Sequence, residues 1–107
     1  MFEIRGQFFD WDKRKNLTNI EKHGVSFKVA ATAFFDPNAR SFDDNEHSWG
    51  EDRFILLGYS DNYELLTVCH CYRELGEHNV VRIISAREAS ESEQKLYGGA
   101  IDGLFGD

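Results

Sequence analysis

The chain has 107 residues, enough for one hydrophobic core and a single domain over 1–107, and 41% apolar residues with nine Phe exclude a disordered chain. A formal charge of −7 at pH 7 argues against a generic nucleic-acid binder, whose affinity comes from neutralised phosphates. The charge is uneven: residues 1–35 carry six Lys and Arg against four Asp and Glu, whereas residues 36–107 carry six against fifteen. The N-terminal third is thus a basic sub-face, and the rest suits a basic partner segment.

No apolar run nears membrane-spanning length and the first residues lack a signal peptide's apolar core, so a cytoplasmic protein with no membrane contact is expected. Asp12 is placed to cap a helix running to about His23, with Gly24 at the left-handed position that ends it. Lys13, Arg14, Lys15, Lys22 and His23 gather on this helix, and Lys15 and Lys22 lie two turns apart on one face, a spacing that can follow a phosphate backbone. Ser26 caps a second helix, in which Val29, Ala30, Ala33 and Phe34 recur at helical spacing before Asp36-Pro37 ends it. Phe9, Trp11, Val25 and Phe27 are expected to pin this helical pair to a sheet.

Four strands are predicted next, at Ala39–Phe42, Arg53–Tyr59, Tyr63–Tyr72 and Asn79–Ala86, joined by hairpin-length turns into an antiparallel meander. Ser90-Glu91-Ser92-Glu93 fits a capping box that opens a last helix to about Tyr97, stopped by Gly98-Gly99, with residues 98–107 as a tail. The fold class read from the chain is α+β: two N-terminal helices, a four-stranded antiparallel sheet and a C-terminal helix, all helices on one side. Cys69 and Cys71 flank His70 on the third strand, so alternation sets both sulfurs opposite the imidazole, against a disulfide or a shared metal site. No closely spaced His, Asp and Glu ligand set is present, and neither a metal nor a cofactor is expected.

Three separated motifs carry a resemblance. Phe9-Asp10-Trp11-Asp12 with Lys15-Asn16 and Lys22-His23-Gly24-Val25-Ser26-Phe27 form the first, Glu46-His47-Ser48 with Gly50-Glu51 and Arg53-Phe54 the second, and Arg82-Ile83-Ile84-Ser85-Ala86-Arg87 with Ala89 the third. Together, over residues 8–97, they resemble the BrnT family of type II toxin–antitoxin toxins. The resemblance implies a RelE-like fold, RNA cleavage that halts translation and growth, and neutralisation by a BrnA-type, ribbon-helix-helix antitoxin that alone carries DNA binding. The last helix departs from the family's basic pattern, with two acids and one lysine in 90–97. Tyr97 stands in the family's place, either to stack on a base or to pack on the sheet.

RNA cleavage needs a base for the 2′-hydroxyl proton, an acid for the leaving oxygen and cations for the phosphorane, because the substrate carries its own nucleophile. If the last hairpin pairs residues of equal parity, His70 and Arg82 project from one face; a slip of one residue separates them. His47 and Glu51 occupy the loop before the second strand, Arg53 stands at its mouth, and Arg87 ends the fourth strand. His70 or His47 is expected to move protons, with Glu51 a further acid, while Arg82, Arg87, Arg53, Lys22, Lys15 and His23 hold phosphate. The rival reading is a toxin-fold binding module with weakened catalysis, acting as antitoxin partner or co-repressor.

Overall fold

The computed structural model describes the backbone of residues 1–104 and side chains through residue 98; residues 105–107, part of the expected tail, lie outside the described residues. The chain opens on a hairpin, β1 (Phe2–Ile4) and β2 (Gln7–Asp10), turned tightly at Arg5 and Gly6, both at positive φ. Helix α1 (Lys13–His23) follows, capped by Asp12, whose carboxylate accepts from the amides of Arg14 and Lys15, and closed by Gly24 at φ 70°. Ser26 caps α2 (Phe27–Thr32) by accepting from the Val29 amide, and the chain tightens into a 3-10 turn over Ala33–Phe35. Strands β3 (Arg40–Asp43), β4 (Phe54–Tyr59), β5 (Leu65–Leu75) and β6 (His78–Glu88) precede α3 (Glu91–Leu104).

The four-stranded antiparallel sheet is corrected by this order of pairing. The sheet has six strands in the order β1-β2-β6-β5-β4-β3, and it is mixed because β2 runs parallel to β6. Gln7-Phe8-Phe9-Asp10 and its hairpin partner β1 are too short to show alternation, and the partner that joins them to the main sheet is at the far end of the chain, so the local signal for a strand is weak. The helices do not share one side either: α1 and α2 cover one face and the edge of β6, while α3 lies over the other face at Phe42, Ile55, Leu57 and Thr67. Gly98-Gly99 does not stop α3, which continues to Leu104. The Ser90–Glu93 capping box forms in full, with Glu93 accepting from the Ser90 amide and its own amide reaching the Ser90 hydroxyl.

The core lies between the sheet and α1–α2, built on Phe9, Val25, Phe27, Leu56, Leu66, Val68, Val81, Ile83 and Ala86. At Gly58 of β4 the packing leaves no room for a side chain, since an added Cβ would stand 2.7 Å from the Ala33 carbonyl oxygen.

Register on β5 and β6 decides which side chains reach the open face. The two-residue turn at Gly76-Glu77 pairs Leu75 with His78, which forces odd parity and sets Cys71 opposite Arg82 and His70 opposite Ile83. A β-bulge then intervenes: His70 pairs with Ile83 but Cys69 pairs with Ser85, leaving Ile84 as the extra residue. Ile83 and Ala86 therefore both enter the core, and Arg82, Ser85 and Arg87 all fall on the face of Cys69 and Cys71.

Beyond Arg82, β6 has no strand on its β2 side, and the Asn19 amide takes that place. Its Nδ2 donates to the carbonyls of Ala86 (2.7 Å) and Val25 (2.8 Å), and its Oδ1 accepts from the Ala86 amide (3.1 Å). One side chain thus seats α1 against the bulged part of β6.

Candidate functional site

A cleft of about 320 Å³ opens on the face of the sheet opposite the α1–α2 core, walled by Asp44, His47, Arg53, Cys69, Ser85 and Arg87 among others. A second, of about 230 Å³, is lined by Lys15, Thr18, Asn19, Lys22 and His23 of α1. Ile84 and Ser85 line both, so the bulge is a wall shared by the cleft on the sheet face and the one on the basic helix.

His47 sits in a short 3-10 turn, Asn45–His47, with its ring largely exposed and Nδ1 3.0 and 3.1 Å from the two carboxylate oxygens of the nearly buried Asp44. A carboxylate on Nδ1 holds that nitrogen protonated and leaves Nε2 to exchange protons. The Cys69 sulfur lies 3.8 Å from the same carboxylate, and burial, with Asp44 adding to it, pushes its thiol pKa up, which keeps it an unreactive neutral group. Both cysteines are free.

Arg87 holds Glu93 of α3 in a two-pronged pair at 2.7 and 3.0 Å, and the guanidinium lowers the Glu93 carboxyl to about 2. Among the described residues, Lys15, Lys22 and Arg53 form no ion pair. The two clefts with Glu93 therefore carry Lys15, Lys22, Arg53 and Arg87 against Asp44, Glu46 and Glu93. Among the described residues no three His, Cys, Asp or Glu side chains gather as a metal site.

Of the residues singled out in the sequence, His47, Arg53 and Arg87 meet in the first cleft and Lys15, Lys22 and His23 in the second. Four others lie elsewhere. His70 is fully buried on the core face, its Nδ1 3.1 Å from the Val68 carbonyl and its Nε2 unpartnered, boxed by the rings of Phe34, Phe54 and Tyr72. Burial lowers its pKa and keeps the ring neutral. The odd register at the hairpin tip separates it from Arg82, which faces the other way and is bound to Asp10 at 2.5 Å. Glu51 pairs with Arg73 at 3.3 Å, and a hydrogen bond from Cys71, reinforced by Arg73, holds its pKa below the usual carboxylate range. Tyr97 is buried, donating to Asp36 at 2.6 Å, with burial and that carboxylate raising its pKa. Asp44 and Glu93 are the partners sequence reasoning missed as site residues; an Asp three positions before a His was the available signal for the first.

The family model described as "Ribonuclease toxin, BrnT, of type II toxin-antitoxin system" matches residues 11–93, a span that holds every wall residue of both clefts. The chain belongs to the BrnT family. The 1.1 Å crystal structure of the Brucella abortus ribonuclease toxin BrnT superposes with a TM-score of 0.56 at 24% identity, covering 79% of this chain and 99% of that one, a likeness of fold. No curated protein sequence matches the chain significantly. Membership makes this BrnT chain a ribonuclease toxin of a type II system, which implies an RNA substrate and an antitoxin partner. No helix among its described residues is long and apolar enough to cross a membrane.

Proposed function

We propose that this BrnT chain is a metal-independent endoribonuclease acting in the cytoplasm, where it halts translation and growth until a BrnA-like ribbon-helix-helix antitoxin binds it and supplies the DNA contact. The observation that carries the reading is the meeting of a carboxylate-held imidazole, His47, with Arg53 and Arg87 in one cleft that shares a wall with the cleft of the α1 lysines.

In this mechanism His47 Nε2 takes the proton of an RNA 2′-hydroxyl as that oxygen bonds to the adjacent phosphorus. The bond from phosphorus to the 5′ oxygen breaks, the departing oxygen takes a proton from solvent, and the products are a 2′,3′-cyclic phosphate and a 5′-hydroxyl. Arg53 and Arg87 stabilise the charge gathering on the phosphorane. Lys15, Lys22 and His23 hold the flanking backbone. His70, Arg82, Glu51 and Tyr97 serve the scaffold, since none lines either cleft and each is engaged with the core or a polar partner elsewhere.

His47→Ala is expected to lower RNA cleavage by about 10²- to 10⁴-fold, the usual yield of a positioned general base, and Arg53→Ala to lower it comparably. His70→Leu is expected to keep most of the activity. Loss of cleavage in folded His70→Leu with full activity in His47→Ala would return the chemistry to the core face. One observation favours the rival binding module: Glu93 occupies Arg87. A folded wild type that binds antitoxin yet cleaves no RNA, alone or with ribosomes, decides for that rival.

A further inference from the structure

Trp49 is 86% exposed, an unusual condition for the side chain with the most apolar surface to bury. It stands two residues from His47 and four from Arg53, so its Cα lies within about 7 Å of that of His47. The loop that presents it is anchored. The Ser48 hydroxyl donates to the Asp44 carbonyl at 2.6 Å and accepts from the Arg53 amide at 3.0 Å, and the Asp44 amide donates to the Arg53 carbonyl at 2.9 Å. Asp44, which holds His47, therefore also holds both ends of the Trp49 loop. Gly50, at φ +74°, turns the chain directly after the indole.

The surroundings say what such an indole suits. Asn45, Glu46, His47 and Gly50, its exposed neighbours in the loop, carry no apolar side chain, so Trp49 is the loop's lone aromatic face and not part of an apolar run of the kind protein partners bury. Among the described residues the other strongly exposed aromatic, Tyr63 at 89%, stands between Asp61 and Glu64, at the opposite end of β4 from Arg53. The charges of the clefts are nearly balanced and the whole chain is at −7, so the few phosphate contacts of Lys15, Lys22 and Arg53 supply only part of the RNA affinity. A contact indifferent to charge adds to them on such a surface, and base stacking on an aromatic ring is one.

We propose that Trp49 is a stacking platform that seats a base of single-stranded RNA next to the scissile phosphate. The proposal rests on the ribonuclease reading above and names its substrate class: unpaired RNA, whose bases are free to splay onto a ring.

The test uses the full chain with Trp11→Phe, which leaves Trp49 as the sole indole, and a single-stranded RNA of about twelve nucleotides carrying 2′-O-methyl groups so that it binds without being cut. Saturable quenching of Trp49 fluorescence is expected. In the otherwise wild-type chain, Trp49→Ala is expected to weaken binding of the same RNA by about 5- to 150-fold, Trp49→Phe by less, with an unchanged unfolding midpoint. The wild-type to Trp49→Ala ratio is expected to hold constant as salt rises, while both affinities fall. Equal RNA affinity in folded Trp49→Ala overturns the proposal while leaving the ribonuclease reading intact. A ratio that collapses with salt overturns stacking as the cause. A wild type that neither binds nor cleaves RNA overturns the ribonuclease reading, and the proposal with it.

Discussion

Asn19→Ala removes the one side chain that pairs the bulged edge of β6 with α1. Three hydrogen bonds of 2.7–3.1 Å are lost, at a residue only 6% exposed, and the Ala86 amide, the Ala86 carbonyl and the Val25 carbonyl are left without those partners. A buried polar group left unpaired costs about 1–3 kcal/mol, and carbonyls, with two lone pairs, fall at the low end. The expected loss is therefore about 3–5 kcal/mol, a large share of the roughly 5–15 kcal/mol available to a domain of this size. Urea unfolding followed by circular dichroism is the assay. The midpoint is expected to fall by more than about 1 M with little change in slope, since the folded state buries nearly the same surface. Leu17→Ala, two residues away and 67% exposed, is the control and is expected to stay within about 0.5 kcal/mol of wild type. A loss below about 1 kcal/mol for Asn19→Ala would refute the reasoning, because it would mean that water or a shifted strand satisfies the edge of β6.

Asp44→Asn is expected to keep the fold but weaken control of the His47 tautomer, lowering the cleavage rate by at least about tenfold in steady-state assays with little change in KM. Glu93→Gln is expected to release Arg87 for phosphate and tighten RNA binding several-fold at low salt. The same substitution removes an acid limb from the stability curve: with the folded Glu93 pKa near 2 and the unfolded value near 4.5, the pair's contribution is present above pH 4.5 and lost as pH falls toward 2. His70 works in the opposite range. Its folded pKa is lowered by burial, so the unfolded chain binds the extra proton first, and stability is expected to fall below about pH 6.5 by up to about 1.4 kcal/mol per pH unit. His70→Leu should flatten that slope in pH-dependent urea melts, and an unchanged slope would assign it to other groups.

Local chemistry was legible in the sequence wherever the signal and the structure both lie within a few residues. Asp12, Gly24, Ser26 and the Ser90–Glu93 box act where their residue types say they should. Pairing between distant segments was not legible. No strand is predicted at the four residues of β2, because their strand neighbours are β1, itself three residues, and β6 at the other end of the chain. The site was half legible for the same reason. His47, Arg53 and Arg87 could be named from type and position, but the faces of β5 and β6 depend on a two-residue turn and a one-residue bulge, and a bulge has no composition signal in Arg82-Ile83-Ile84-Ser85. The turn's odd register sets His70 and Arg82 on opposite faces, and the bulge beyond them brings Ser85 and Arg87 into the cleft with Arg53. It lies beside the candidate site, where an extra residue re-aims side chains.

The most direct measurement is cleavage of a defined single-stranded RNA by the purified chain in EDTA, beside the same RNA with a single 2′-deoxy substitution at the cut site. A 2′,3′-cyclic phosphate end is expected from the first substrate and no cut at the substituted position, and His47→Ala is expected to abolish cleavage of the first substrate. Cleavage of the 2′-deoxy position, or dependence on an added divalent metal, would contradict the proposed mechanism.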